Sequence, residues 1–166
     1  MRDHVREFSY EEMAELIRMA CPASCVELPK VFRQILFDYL FANGDAHLKN
    51  FSVYESDLGD YVMTPAYDLL NTILHYPGDL TFMALSLFKD PDFATPEFES
   101  LGYYSTADFV VLGRAYGLDE KAVRMMLDEF QTRAPQVEAM VEQSLLSQDA
   151  KREYLRIFTD RLAMFR

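Results

Sequence analysis

From Val31 to Leu40 the apolar residues Val31, Phe32, Ile35, Leu36, Tyr39 and Leu40 recur at helical spacing, and the pattern breaks at Asn43-Gly44. Within a few residues the period changes. Phe51-Ser52-Val53-Tyr54 and Tyr61-Val62-Met63 are short runs of β type around Asp57-Leu58-Gly59-Asp60, a turn composition. A chain that switches period this abruptly must set a helix end, a polar loop and a hairpin side by side. Pro29 is expected to open the helix at its first position, and Pro65 to close the second strand.

The flanking sequence is helical. Ser9-Tyr10-Glu11-Glu12 has the form of a capping box, and Met13, Leu16, Ile17 and Ala20 follow at helical spacing. Ser105-Thr106-Ala107-Asp108 leads into Phe109, Val110, Leu112 and Ala115, ending near Gly117. Asp119 is placed to cap a helix carrying Val123, Met126, Leu127 and Phe130. A separate helix is expected from about Pro135 with Val137, Met140, Val141 and Leu145, and another with Tyr154, Leu155, Phe158, Leu162 and Phe165. The apolar run Leu80–Phe88 fits either a strand or a buried helix. No repeat, low-complexity segment or linker divides the chain. Residues 1–166 therefore read as one mainly α domain with a single hairpin in the N-terminal third. A chain of this mass buries about 70% of its unfolded surface, enough for a core.

The charge narrows the function. With 27 acidic and 16 basic side chains the net charge is −11, which repels phosphate backbones and anionic lipid and argues against direct nucleic-acid binding. Half the residues are apolar and 14% aromatic, a composition that excludes disorder. Cys21 and Cys25 are too close to form a disulfide framework, and His4, His47 and His75 are too scattered to complete a zinc site with them. The cysteines are expected to be reduced and packed at a helix end. Residues 1–7 have no apolar core of a signal peptide, and no run of about 18 apolar residues occurs, so the expected location is the cytoplasm, away from the membrane.

The chemistry lies in Asn43-Gly44-Asp45-Ala46-His47-Leu48-Lys49-Asn50, followed by Pro65-Ala66-Tyr67-Asp68. Asp45 and Asn50 are five residues apart, and Asp68 lies eighteen beyond Asn50. Phosphoryl transfer from ATP needs a carboxylate to accept the substrate hydroxyl's proton and oxygen ligands to hold Mg²⁺ on the phosphates. Mg²⁺ is suited by one carboxylate with neutral oxygens and water, so Asp68 with the Asn50 amide is a suitable pair and Asp45 a suitable base. The kinase catalytic loop has the same five-residue step, and His47 falls where a cation could contact the transferring phosphate. Lys49 is a further neighbour. Taken singly, Asn43-Gly44 could be a helix end, Asp68 a cap and His47 a packed side chain; together, in this order, they form a specific signal.

The run Asn43 to Ser52, then Thr64-Pro65-Ala66-Tyr67-Asp68-Leu69-Leu70, closely resembles the C-terminal part of HipA-like toxin kinases. The helix at Tyr10-Glu11-Glu12-Met13-Ala14 and the Met83-Ala84-Leu85-Ser86-Leu87 run are similar to that family too, so the match covers roughly Ser9 to Phe88. The resemblance implies a protein-kinase-like helical C-lobe, serine/threonine kinase activity, and ATP and Mg²⁺ as cofactors. It also implies protein substrates such as aminoacyl-tRNA synthetases and neutralisation by a DNA-binding antitoxin. By motif position Asp45 would be the catalytic base, with Asn50 and Asp68 as metal ligands. Where the family has an Asn-Gly-Lys-like step after the Ala-Leu-Ser run, this chain has Phe88-Lys89-Asp90.

One kinase component is not found. The six glycines (44, 59, 78, 102, 113, 117) form no Gly-x-Gly step, and the only lysine before Asp45 is Lys30, at an expected helix start. The expectation is a C-lobe without the Gly-rich loop and ATP-clamping lysine, inactive by itself. Those parts would come from elsewhere, for example a separate N-lobe chain. Two other readings stay open. One is a non-catalytic docking module for a basic, antitoxin-type partner. The other is a metal-dependent hydrolase using Asp45, His47 and Asp68.

Overall fold

The computed structural model describes residues 8–75 and 83–165. His4, the N-terminal segment 1–7 and the first part of the 80–88 run lie outside the described residues. The elements run α1 (Tyr10–Ala20), α2 (Ser24–Leu40), a single 3-10 turn (Leu48–Asn50), β1 (Val53–Glu55), β2 (Tyr61–Met63), α3 (Pro96–Leu101), α4 (Thr106–Ala115), α5 (Glu120–Gln143) and α6 (Gln148–Ala163). The mainly α reading is borne out. Among the described residues no helix is long and apolar enough to cross a membrane.

The helix α2 is central, packing against α1 and α6, while α4 joins α1 to α5 and α5 packs on α6. Its residues Phe32, Ile35, Leu36, Tyr39 and Leu40 are fully buried. At the centre of an aromatic cluster, the Tyr39 ring lies 5.2 Å from Phe109 and 5.6 Å from Phe165. The Tyr39 hydroxyl donates to the Tyr104 carbonyl at 2.7 Å, and the buried Arg161 guanidinium sits 4.8 Å from the Tyr39 ring. Burial pushes the Tyr39 hydroxyl pKa above its ordinary value.

Several boundaries follow local signals. In α1, Ser9 and Glu12 make the reciprocal capping box, with Glu12 N–H donating to Ser9 Oγ and Ser9 N–H to Glu12 Oε2, both at 3.1 Å. Asp119 caps α5, accepting from Ala122 N–H at 2.7 Å. Before α4, Asp108 accepts from Ser105 N–H at 2.7 Å and from the Thr95 hydroxyl at 2.6 Å.

Both interior prolines correct the expected boundaries. Pro29 does not open α2, which begins five residues earlier at Ser24. Its missing N–H would have bonded the carbonyl of Cys25, an exposed residue where water can take that bond. Pro135 does not begin a helix either, since α5 runs through it as one helix of 24 residues. Val123, Leu127, Phe130 and Ala134 before or beside the proline and Val137 after it pack on the same core, so burial carries the helix past one lost hydrogen bond. Of the two free cysteines only Cys21 is packed at a helix end, while Cys25 is exposed. The short helix α3, capped by Thr95, has no counterpart in the expected elements.

The described part of the 80–88 run is neither strand nor helix. It contributes a single parallel bridge, Ser86 to Ser9, in which Tyr10 N–H donates to Ser86 O at 2.9 Å and Glu11 N–H to Leu87 O at 3.0 Å. These bonds satisfy N–H groups that the first turn of α1 cannot pair within the helix.

Candidate functional site

The helix α2 ends in a Schellman arrangement. Ala42 N–H donates to Tyr39 O at 3.2 Å and Asn43 N–H to Asp38 O at 2.8 Å. The left-handed residue is Ala42 (φ 56°), an unusual position for a residue with a Cβ. Thr72 holds it there: its N–H and hydroxyl both donate to Ala42 O, at 3.0 and 3.1 Å, and its Oγ accepts from Gly44 N–H at 3.0 Å.

The loop that follows is held at nearly every peptide. Asp45 N–H donates to Asn43 Oδ1 at 3.3 Å, and Asp45 O accepts from His47 N–H at 2.8 Å. The Tyr10 hydroxyl donates to Ala46 O at 2.8 Å, and Tyr116 in turn donates to Tyr10 O at 2.7 Å. The Tyr67 hydroxyl donates to Lys49 O at 2.6 Å and accepts from Ser52 Oγ at 2.7 Å, joining the loop to the far end of the hairpin.

The hairpin brings Asp68 back to this loop. Val53 pairs with Met63, Tyr54 with Val62 and Glu55 with Tyr61. The turn closes through Ser56 N–H to Asp60 O at 2.7 Å, with Gly59 left-handed at φ 81°. Asp68 is itself left-handed at φ 55°. This conformation is more accessible to Asp than to most residues with a Cβ.

Four of the five sequence-derived residues are linked to one another by close contacts. The buried Asn50 amide donates to Asp45 O at 3.0 Å and to Asp68 Oδ2 at 3.3 Å. His47 Nε2 lies 3.9 Å from Asp45 Oδ1. The carboxylates of Asp45 and Asp68 are exposed, and His47 is partly exposed with Nδ1 buried and unpartnered. Lys49 stands apart: its side chain is exposed and bonds none of Asp45, Asn50 or Asp68 among the described residues.

This donor set fits a hard divalent cation. Both amide hydrogens of Asn50 are spent on protein oxygens, so Asn50 Oδ1 and the second oxygen of Asp68 are the atoms that could hold a cation: one neutral, one charged. Among the described residues no group of three or more His, Cys, Asp or Glu side chains converges as a metal cage.

Sequence reasoning did not single out Tyr10, Asp38, Thr72 and Tyr67 as supports of the loop. Asp38 carried a signal. It lies at i+3 from Ile35 and i+7 from Val31, an acid on the apolar face of α2. In the fold it is fully buried, one oxygen accepting from Asn43 Nδ2 at 2.9 Å and the other unpartnered. Desolvation pushes its carboxyl up to about 7, with the Asn43 hydrogen bond pulling the other way.

The family model for the HipA-like C-terminal domain matches residues 2–138, extending well beyond Phe88. A Haemophilus influenzae protein named "Putative kinase" is 27% identical over 169 aligned residues, covering 98% of this chain and 49% of its own length. From Sinorhizobium fredii, "Putative kinase Y4dM" is 40% identical over 58 residues, covering 35% of this chain and 14% of its own length. "Putative kinase Y4mE", from the same organism, is 33% identical over 81 residues, covering 49% and 19%. This chain thus spans about half the length of the Haemophilus relative and less of the other two. The chain belongs to the HipA-like C-terminal domain family.

Proposed function

We propose that residues 1–166 form the kinase-like helical C-lobe of an ATP-dependent serine/threonine protein kinase of toxin–antitoxin type. The observation that carries this reading is the Asn50 amide, bonded at once to the Asp45 carbonyl and the Asp68 carboxylate. This pair of bonds supports reading a base candidate and two metal-ligand candidates as one unit. Bound Mg²⁺ would neutralise charge on the ATP phosphates. Asp45, its main chain held on both sides and its carboxylate exposed, takes the proton of the attacking protein hydroxyl. Asn50 and Asp68 would hold the cation, and His47, with Lys49 exposed further along the same loop, would be the candidates to face the transferred phosphate. As the new O–P bond forms, the bond between the γ-phosphorus and the bridging oxygen breaks, and ADP leaves.

In this reading the Gly-rich loop and clamping lysine come from outside the 166 residues, from a preceding segment or a separate N-lobe chain. The protein substrate is of the aminoacyl-tRNA synthetase kind, the partner is a DNA-binding antitoxin, and the setting is the cytoplasm. The net charge of −11 also suits docking of a basic partner, which would be insensitive to Asp45→Ala and Asp68→Ala.

The test is phosphotransfer from labelled ATP, with the chain alone and then combined with the segment that supplies the phosphate clamp. Transfer is expected only in the combination, and Asp45→Asn or Asp68→Asn should each remove at least about a hundredfold. Rates on the order of 1–100 per second from the chain alone, or full activity in both variants, would overturn the reading.

A further inference from the structure

The side chain of Asn43 is 2% exposed and uses all of its principal hydrogen-bonding capacity inside the site. Nδ2 donates to Asp38 Oδ1 at 2.9 Å and to Asp68 O at 3.1 Å, and Oδ1 accepts from Asp45 N–H at 3.3 Å. One planar group therefore spans the end of α2, the loop residue Asp45 and the residue after the hairpin, Asp68.

An amide can stand either way round, and its surroundings decide which. Here its three partners decide it: Asp38 Oδ1 and Asp68 O accept from the NH₂ end, and Asp45 N–H takes the oxygen. A carboxylate with no exposure and a vacant second oxygen is costly to bury, and Asn43 is the side chain that bonds it.

We propose that Asn43 is a positioning residue that sets the separation of Asp45 and Asp68, with Asp38 as a buried acceptor that helps hold its amide. Its value for phosphotransfer rests on the function proposed above, but the geometry can be tested without nucleotide or metal. Failure of either idea therefore leaves the other measurable.

The reporter is the side-chain amide of Asn50. It bonds both Asp45 O and Asp68 Oδ2, while no described hydrogen bond joins it to Asn43. In ¹⁵N-labelled chain, Asn43→Asp is nearly isosteric and keeps an acceptor for Asp45 N–H, but faces Asp38 and Asp68 O with an oxygen. Asn43→Ala removes all three bonds. Thermal unfolding of each variant establishes that it is folded.

Both variants should shift the Asn50 amide resonances and speed their hydrogen exchange about tenfold, the equivalent of losing one typical hydrogen bond. Asp38→Asn, which can still offer an oxygen to Asn43, should stay within about twofold of wild type. An Asn50 amide unmoved in either folded Asn43 variant overturns the proposal, because Asn43 would then support only its own turn.

Discussion

The Tyr10 hydroxyl, in the first turn of α1, donates to the carbonyl of Ala46, 36 residues further on, at 2.8 Å. Both residues are buried, and Tyr10 is backed by a bond from Tyr116 to its own carbonyl. Desolvation raises the Tyr10 hydroxyl far above its ordinary pKa, so it remains a donor at every pH the fold survives. The polar loop is thus anchored from behind by a residue with no part in its chemistry.

Tyr10→Phe keeps the ring and deletes this donor, stranding the Ala46 carbonyl. The expected cost is about 1–3 kcal/mol, the range for an unsatisfied buried polar group. Urea denaturation of the two proteins measures it, and a change within error would mean that water replaces the hydroxyl.

Asp38 predicts a pH dependence. Its carboxyl titrates at about 7 in the fold against an ordinary 3.8. Between those values the folded chain keeps a proton that the unfolded chain has released. The associated stability is complete below the ordinary value and is lost as pH rises towards 7. The ceiling is roughly 4 kcal/mol, reduced by whatever relaxation the loop allows. Unfolding free energies from pH 4 to 8 should show wild type losing stability relative to Asp38→Asn across this window. A constant difference would exclude Asp38 as its source.

Asp68 should separate stability from activity. Both Asp68→Gly and Asp68→Val delete the acceptor of the buried Asn50 amide, a cost of about 1–2 kcal/mol. At φ 55° glycine is free of the Cβ penalty, whereas the β-branched valine should lose about 1–2 kcal/mol more. Denaturation midpoints test this order. Under the proposed function both variants are inactive, including the more stable one.

Gly113 tests the joint between α4 and α5. Alanine is the better helix former by about 1 kcal/mol. A Cβ at Gly113, however, would stand 2.5 Å from Val123 Cγ2, on a fully buried, β-branched side chain with little freedom to move. Overpacking should win, and Gly113→Ala should lower the melting temperature, at a net cost of about 1–2 kcal/mol.

What could be read from the sequence was local. The Ser9–Glu12 box, the Asp119 cap and the hairpin around Gly59 depend on residues within a few positions of one another, and each forms as its composition suggests. The spacing of Asp45, Asn50 and Asp68 was also legible, because a helix end and a short hairpin leave little choice about where Asp68 returns. The prolines misled because Pro29 and Pro135 are helix breakers only when nothing else holds the helix. The supports of the site were hidden for the opposite reason. Thr72 on Ala42 and Tyr10 on Ala46 are ordinary residues made significant by pairings across 30 and 36 positions.

The bridge between Ser9 and Ser86 bears on the order in which the chain acquires its shape. The helices α4, α5 and α6 are consecutive and neighbouring, so their contacts close short loops and can form early. Joining Ser9 to Ser86 closes a loop of more than seventy residues, whose entropy must be lost before its bonds repay it. Tyr10, the next residue, reaches Ala46 from that docked position. Loop closure alone therefore predicts that the segment carrying Asp45 and Asn50 gains its N-terminal support late in folding, an order that pulsed hydrogen exchange during refolding would check.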